Sequence, residues 1–360
     1  MDGGIKQSIN LRYMKSMFVL LLPELRKFIR SSASGQRLMP SGKKVRKGTL
    51  AQYEVLYRLL LEFEQSAGTT VRLLRKSRIT TRDWQRERVY WKRVLKQFTG
   101  FIYQEKGGYD QYLSSVLKVL RTFLRYLELE RGFPALGIYR KMRVPSEVLT
   151  PVVLSPEQLK FLINDRCFYA SLPVHLQRTR DIFVFACIAG LRFRDLMNLR
   201  IPNLQHTEEG VNLLVHTQKT GSIIRVPLPV WAVELIRKYR GQAGTYLLPR
   251  ISGTNLNLQI KALMERAGWV YSLPRIRNRR GEPVELKKLG GKSWRFCDHI
   301  TVHTCRRTAI TTLLLLGVEE NMVRRISGHA PGSREFYKYV GLVQDYLDRQ
   351  VKEAHRRLVE

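Results

Sequence analysis

Acidic side chains are scarce in this 360-residue chain: 30 Asp and Glu stand against 63 Lys and Arg, leaving a net charge of +33. So lopsided a balance argues against a small-molecule substrate or an acidic partner protein and points to a long polyanion. Cysteine is scarce too. Cys167, Cys187, Cys297 and Cys305 are too few and too scattered for a disulfide scaffold, which excludes the small secreted class and suggests a reducing compartment. Long apolar runs are missing. Met17 to Leu22 is the only such stretch near the start, Pro23 and Glu24 end it short of a signal peptide, and nothing approaches a membrane span. Aromatics are not lacking, and 16 tyrosines and 14 phenylalanines need cores to pack into, so the basic charge belongs to folded domains rather than a disordered tail. These features together predict a cytoplasmic protein that binds nucleic acid and has no membrane association.

The length suits two modest domains plus a tail. Residues 1–45 are small, polar and basic around one short amphipathic stretch, and predict a basic N-terminal arm. Residues 46–148 carry apolar positions three and four apart in three successive segments, which predicts a helical bundle. Thr49 is the expected N-cap of the first helix, and the second opens on Thr81. Arg143 to Gln158 holds three prolines and reads mostly as a linker, within which Ser155-Pro156-Glu157 starts a new helix. Residues 149–360 are mixed: helices at "RDIFVFACIAG" and "RDLMNLR", then a hairpin in which "VNLLVHTQ" and "IIRVPLP" flank "KTGS". A basic, glycine-rich insert at 272–296 predicts a protruding loop or second hairpin, and helices resume at His303.

Four sets of polar residues exceed what packing requires. Arg192 sits where one helix stops at Gly190 and the next begins, with Asp195 a turn later to hold it, although a lone Arg-x-x-Asp is also the pattern of a surface ion pair. Lys219 lies at the hairpin tip, where a lysine is either solvated or aimed into a groove as a proton donor. His303 and Arg306 share one face at a helix start, next to free N–H groups that favour phosphate. His329 follows Gly328, with Tyr337 and Tyr339 eight and ten residues on. Two tyrosines two apart in a helix are separated by about 200°, so only one can face a given cleft. Cys297, His299, His303 and Cys305 offer a competing zinc reading, but their spacing does not match the common paired-ligand knuckles.

The order of these residues, in "AGLRFRDLMNLR", "HTCRRTAITTLLLLGV" and "ISGHAPGSREFYKYV", resembles the tyrosine recombinase (phage integrase) family over about residues 149–345. The "FYKYV" wording is similar to integrases of Bacteroidetes mobile elements. The resemblance implies a mainly α fold with a small antiparallel β-sheet in the catalytic domain. It implies a two-domain DNA clamp, with a helical core-binding domain at 46–148 and an α+β catalytic domain at 149–360 that ends in a helical tail. It implies site-specific DNA recombination through a 3′-phosphotyrosyl intermediate, with no metal, ATP or other cofactor. The partners implied are double-stranded DNA bearing a specific recombination site and a homotetramer assembled on two such sites. Carried onto this chain, Arg192, Arg306 and His329 grip the scissile phosphate. Lys219 protonates the departing 5′ oxygen, His303 moves a proton or binds phosphate, and Tyr339 is the nucleophile. The family's tyrosine commonly falls between the two offsets found here, and one extra residue in Ala330-Pro331-Gly332 selects Tyr339. A type IB-like topoisomerase and a catalytically inactive DNA-binding regulator are the alternatives.

Overall fold

The computed structural model describes residues 17–75, 79–133, 137–142, 150–218 and 221–357. Backbone contacts divide the chain into two units, Met1–Val148 with Ile276–Glu285, and Leu149–Arg275 with Leu286–Glu360.

The first unit is helical. A short strand β1 (Phe18–Leu20) leads into α1 (Leu21–Ser34), followed by α2 (Lys47–Ala67), strand β2 (Arg72–Leu74), α3 (Thr81–Gln104), α4 (Asp110–Leu129) and a single turn α5 (Ile138–Lys141). β1 and β2 pair antiparallel. The described part of the predicted basic N-terminal arm packs into the core of this unit. Leu21, Leu25, Phe28 and Ile29 recur along one face of α1 and are buried, and the Phe28 ring lies 4.8 Å from Tyr53, 5.2 Å from Phe123 and 4.8 Å from Tyr126. That apolar stripe makes the segment a core helix. α2 starts two residues before Thr49, whose N–H bonds Arg46 O, so Thr49 is not its cap. α3 opens on Thr81 as expected, and Thr80 caps it: Thr80 Oγ1 accepts from Asp83 N and Asp83 Oδ2 accepts from Thr80 N, a reciprocal box. Along α3, Arg88, Lys92 and Lys96 stand a turn apart beside Trp84 and Trp91, lining an open cleft of about 580 Å³.

The basic insert is a hairpin, β6 (Arg275–Arg279) with β7 (Glu282–Leu286), and its tip belongs to the first unit. The buried Asp110 carboxylate accepts from the N–H groups of Arg280 (2.8 Å) and Gly281 (2.9 Å) and from the Tyr103 hydroxyl (2.6 Å). Burial pushes Asp110 up, but those three donors pull it below its ordinary value, while burial and the Asp110 charge push Tyr103 to about 12. The turn is therefore bound by the protein's own carboxylate and is not a freely solvated loop.

The second unit begins with α6 (Pro156–Asn164), capped by Ser155 with Gln158 closing the box, then α7 (Arg166–Ser171), α8 (Val174–Ala189) and the short α9 (Phe193–Met197). A three-stranded antiparallel sheet follows, in the order β3 (Leu204–Thr207), β4 (Gly210–His216), β5 (Ile223–Leu228), with Leu213 opposite Val226 and Val215 opposite Ile224 on the buried face. The sequence pattern predicts the β4–β5 hairpin; β3 is an addition. Helices α10 (Val230–Lys238), α11 (Gly253–Arg266), α12 (Phe296–His299), α13 (Val302–Leu315), α14 (Glu320–Ser327) and α15 (Arg334–Arg357) complete the unit. α8 is buried nearly all round, through Ile182, Phe183, Val184, Phe185 and Ala186, and packs on α11 and α13. It is the spine on which the site is hung. Among the described residues no helix is long and apolar enough to cross a membrane.

Candidate active site

α8 stops at Gly190, whose φ of +61° is open to glycine at little cost and turns the chain so that Arg192 becomes the N-terminal flank of α9. Arg192 is half-buried, and its Nη1 is shielded from solvent yet has no hydrogen-bond partner. Asp195, the expected partner of Arg192, does something else. Its buried Oδ1 accepts from Gln218 N at 3.0 Å and so anchors the end of β4, next to Lys219. Lys219 itself lies outside the described residues. The Thr217 N–H bonds Ser222 O at 2.9 Å.

Arg306, in the first turns of α13, is 2 % exposed. Its Nη1 donates to Gly190 O at 2.9 Å and its Nη2 to Ser327 O, tying the C-terminal ends of α8 and α14 to α13. The same Nη2 stands 3.5 and 3.4 Å from the two ring nitrogens of His329. Burial, with the Arg192 charge beside it, lowers Arg306 to about 10. His329 follows Gly328, whose φ is +61° and where an added Cβ would come 3.4 Å from Ile224 Cγ2. Burial, then the charges of Arg306 and Arg192, hold the imidazole at about 4, so it is neutral at physiological pH. The Arg192 charge thus acts on Arg306, and both arginine charges act on the His329 ring.

α15 brings in the tyrosine. Phe336, Tyr339 and Val343, spaced three and four, form its buried stripe, and the Tyr339 ring lies 6.1 Å from His329 with 6 % of the residue exposed. Tyr337, on the other side of the helix, is 49 % exposed and stacks near Arg324. His303 is exposed on α13, one turn before Arg306, and its charge acts on His329. Arg192, His303, Arg306, His329 and Tyr339 are thus gathered in one unit. The zinc set is not. Cys297 and Cys305 are core residues, His299 Nε2 bonds Leu273 O at 2.9 Å, and among the described residues no three metal-type ligands converge. Sequence reasoning missed Ser327, whose Oγ lies 2.8 Å from His329 Nδ1; its only signal is a hydroxyl two residues before the histidine.

Residues 153–341 match the phage integrase family, more than half of the chain, and the protein belongs to that family, the tyrosine site-specific recombinases. Among solved structures, it is similar to a lambda integrase dimer bound to a COC′ core site, with a TM-score of 0.58 and 14 % identity over 92 % of this chain and 80 % of that one. It is similar also to Tn1549 transposon integrase in complex with circular intermediate DNA, with a TM-score of 0.55 and 15 % identity over 89 % and 95 % of the two chains. A lambda integrase tetramer bound to a Holliday junction matches with a TM-score of 0.55 and 16 % identity, covering 88 % of this chain and 79 % of that one. At these identities the likeness is one of fold. No curated protein matches the sequence.

Proposed function

We propose that the protein breaks and rejoins DNA at a specific site, with Tyr339 as the nucleophile that forms a 3′-phosphotyrosyl bond. The observation that carries the reading is the Tyr339 ring 6.1 Å from His329, whose ring feels the charges of the buried Arg306 and the half-buried Arg192. Phosphoryl transfer depends chiefly on positioning and charge compensation. Arg192 and Arg306 receive the non-bridging oxygens of the scissile phosphate, and His329 adds a contact once it carries a second proton. Lys219 protonates the departing 5′ oxygen. The phosphotyrosyl bond keeps the energy of the broken phosphodiester, so a second DNA end can reseal the strand without ATP.

The cationic helix face at Arg88, Lys92 and Lys96 and the net charge of +33 suit a duplex as the substrate. Exchange between two sites calls for four protomers, the assembly that the lambda integrase tetramer displays on a Holliday junction. The enzyme then works wherever the chromosome is accessible, in the cytoplasm at the nucleoid. The test is a plasmid carrying two copies of a site taken from the DNA flanking the gene. Recombined circles support the proposal, whereas relaxation of supercoils on any plasmid, without exchange, replaces it with the topoisomerase reading.

A further inference from the structure

Leu289 is the most exposed large apolar residue among those described, at 100 %. It stands in the loop 287–292, where the chain returns from the β6–β7 hairpin, between Lys287 and Lys288 on one side and Lys292 on the other. We propose that Leu289 is a wedge that enters the minor groove of duplex DNA and parts a base step, while Lys287 and Lys292 hold phosphates on either side. Of the function above, this role needs only the binding of duplex DNA and not the cleavage step.

The loop is braced. Two backbone bonds close it, Lys288 N to Lys292 O at 2.8 Å and Gly291 N to Lys288 O at 3.0 Å. Gly290 and Gly291 have φ of +76° and +74°, which other residues adopt only under strain, so the paired glycines specify this turn. Its stem is fastened within the second unit: Lys288 Nζ lies 2.6 Å from Asp298 Oδ2, and Lys287 Nζ donates to Ser293 Oγ at 3.3 Å. Behind them Trp294 O accepts from Leu273 N at 2.9 Å, and the Trp294 ring meets the Arg275 guanidinium at 4.5 Å and the His299 ring at 5.5 Å. The chain then passes through α12 into α13, which carries His303 and Arg306. A partly covered leucine on a surface calls for no explanation. One that projects bare from a hydrogen-bonded turn does nothing for the fold.

The charge around the leucine selects its partner. Lys287 and Lys292 are exposed on either side of it, the Asp298 carboxylate is already met by Lys288 and Arg295, and the whole chain carries +33. An apolar tip between two cations fits a surface whose rims are anionic and whose floor is apolar, which is what two phosphate strands and the stacked bases between them offer. The two glycines beside Leu289 have no side chains to collide with the walls, so the turn can descend into a minor groove about 6 Å wide. A leucine entering a base step there unstacks it and bends the duplex toward the major groove. Pyrimidine–purine steps, which unstack most readily, are therefore its preferred sites, and the loop reads sequence through deformability rather than through base hydrogen bonds.

An iron–EDTA reagent attached to Leu289→Cys reads the groove, in a Cys167→Ser background because Cys167 is the exposed cysteine among the described residues. On duplexes tiling the DNA that flanks the gene, cuts offset toward the 3′ side on the two strands mark the minor groove and are the expected result. An offset toward the 5′ side, or no cutting above that of the free reagent, overturns the proposal. At the mapped step, 2-aminopurine should brighten on binding of the unlabelled wild type, and energy transfer between the duplex ends should report a bend. Leu289→Ala should lose both signals and bind at least ~10-fold more weakly, with an unchanged salt slope. Lys287→Ala and Lys292→Ala should each lower that slope by about one. Leu289→Ala breaks no contact within the fold, so its thermal unfolding should match wild type; unchanged affinity and bend in this variant overturn the proposal. If Tyr339 forms no adduct with any of these duplexes while the groove pattern and the bend hold, the recombinase reading fails and the wedge stands.

Discussion

Arg306 combines two roles that ordinarily fall to different residues. It braces the backbone by donating to Gly190 O and Ser327 O, and it adds a positive charge beside Arg192 in a pocket that burial makes hostile to charge. A lysine keeps the charge but lacks the planar fork that serves two carbonyls at once. Arg306→Lys should therefore lower single-turnover DNA cleavage by about 10²–10³-fold, comparable to removing one oxyanion donor, while DNA binding by gel shift changes far less. His329 gives a stability signature. Unfolded, the imidazole takes a proton below 6.5; folded, only below about 4. Between those values the unfolded chain binds more protons, so stability falls as pH drops through the window and is fully retained above it. Urea midpoints should decline from neutral pH toward pH 4.5 in wild type, and the decline should be shallower in His329→Asn.

At the scale of elements, the fold was legible where one signal dominated. Ser155, Pro156 and Gln158 announce the start of α6, and the structure shows the complete capping box. The β4–β5 hairpin follows from its alternation and its Lys219-Thr220-Gly221 turn sequence. β3 was not legible, because Leu204–Thr207 is a short, largely exposed edge strand that burial does not pattern. α1 was misread because the small and basic residues after Ser31 hid a stripe whose partners, Tyr53 and Phe123, lie far along the chain. Phe28→Ala tests that correction. As a core residue it should cost about 3–5 kcal/mol in urea unfolding, whereas a residue on a free arm would cost almost nothing. The order Arg, Lys, His-x-x-Arg, Gly-His and Tyr was legible in the sequence, and the structure gathers Arg192, His303, Arg306, His329 and Tyr339 in one unit, with Lys219 outside the described residues. What order cannot encode is hydrogen-bond direction. Asp195 turned out to hold Gln218 instead of Arg192, and Ser327 was invisible because a serine before a glycine serves many purposes.

For the whole molecule, charge decides the behaviour that no single contact explains. A net +33 spread over two units predicts binding dominated by counterion release. Engaging about 6–10 phosphates, the protein should lose roughly 10³–10⁵-fold in duplex affinity between 50 and 200 mM salt, measured by fluorescence anisotropy. The C-terminal helix is part of the same unit as the site. Tyr346 donates to Glu157 at 3.2 Å, so the described tail lies against its own domain. The α15 helix, packed on α13, turns Tyr339 toward His329. The central claim is that this tyrosine breaks the DNA strand. Nicked suicide duplexes tiling the DNA that flanks the gene, incubated with wild type and digested for mass spectrometry, test it most directly. The account predicts a nucleotide attached through a 3′-phosphate to Tyr339, retained in Tyr337→Phe and absent in Tyr339→Phe. Attachment at Tyr337, or an undiminished adduct in Tyr339→Phe, would contradict it.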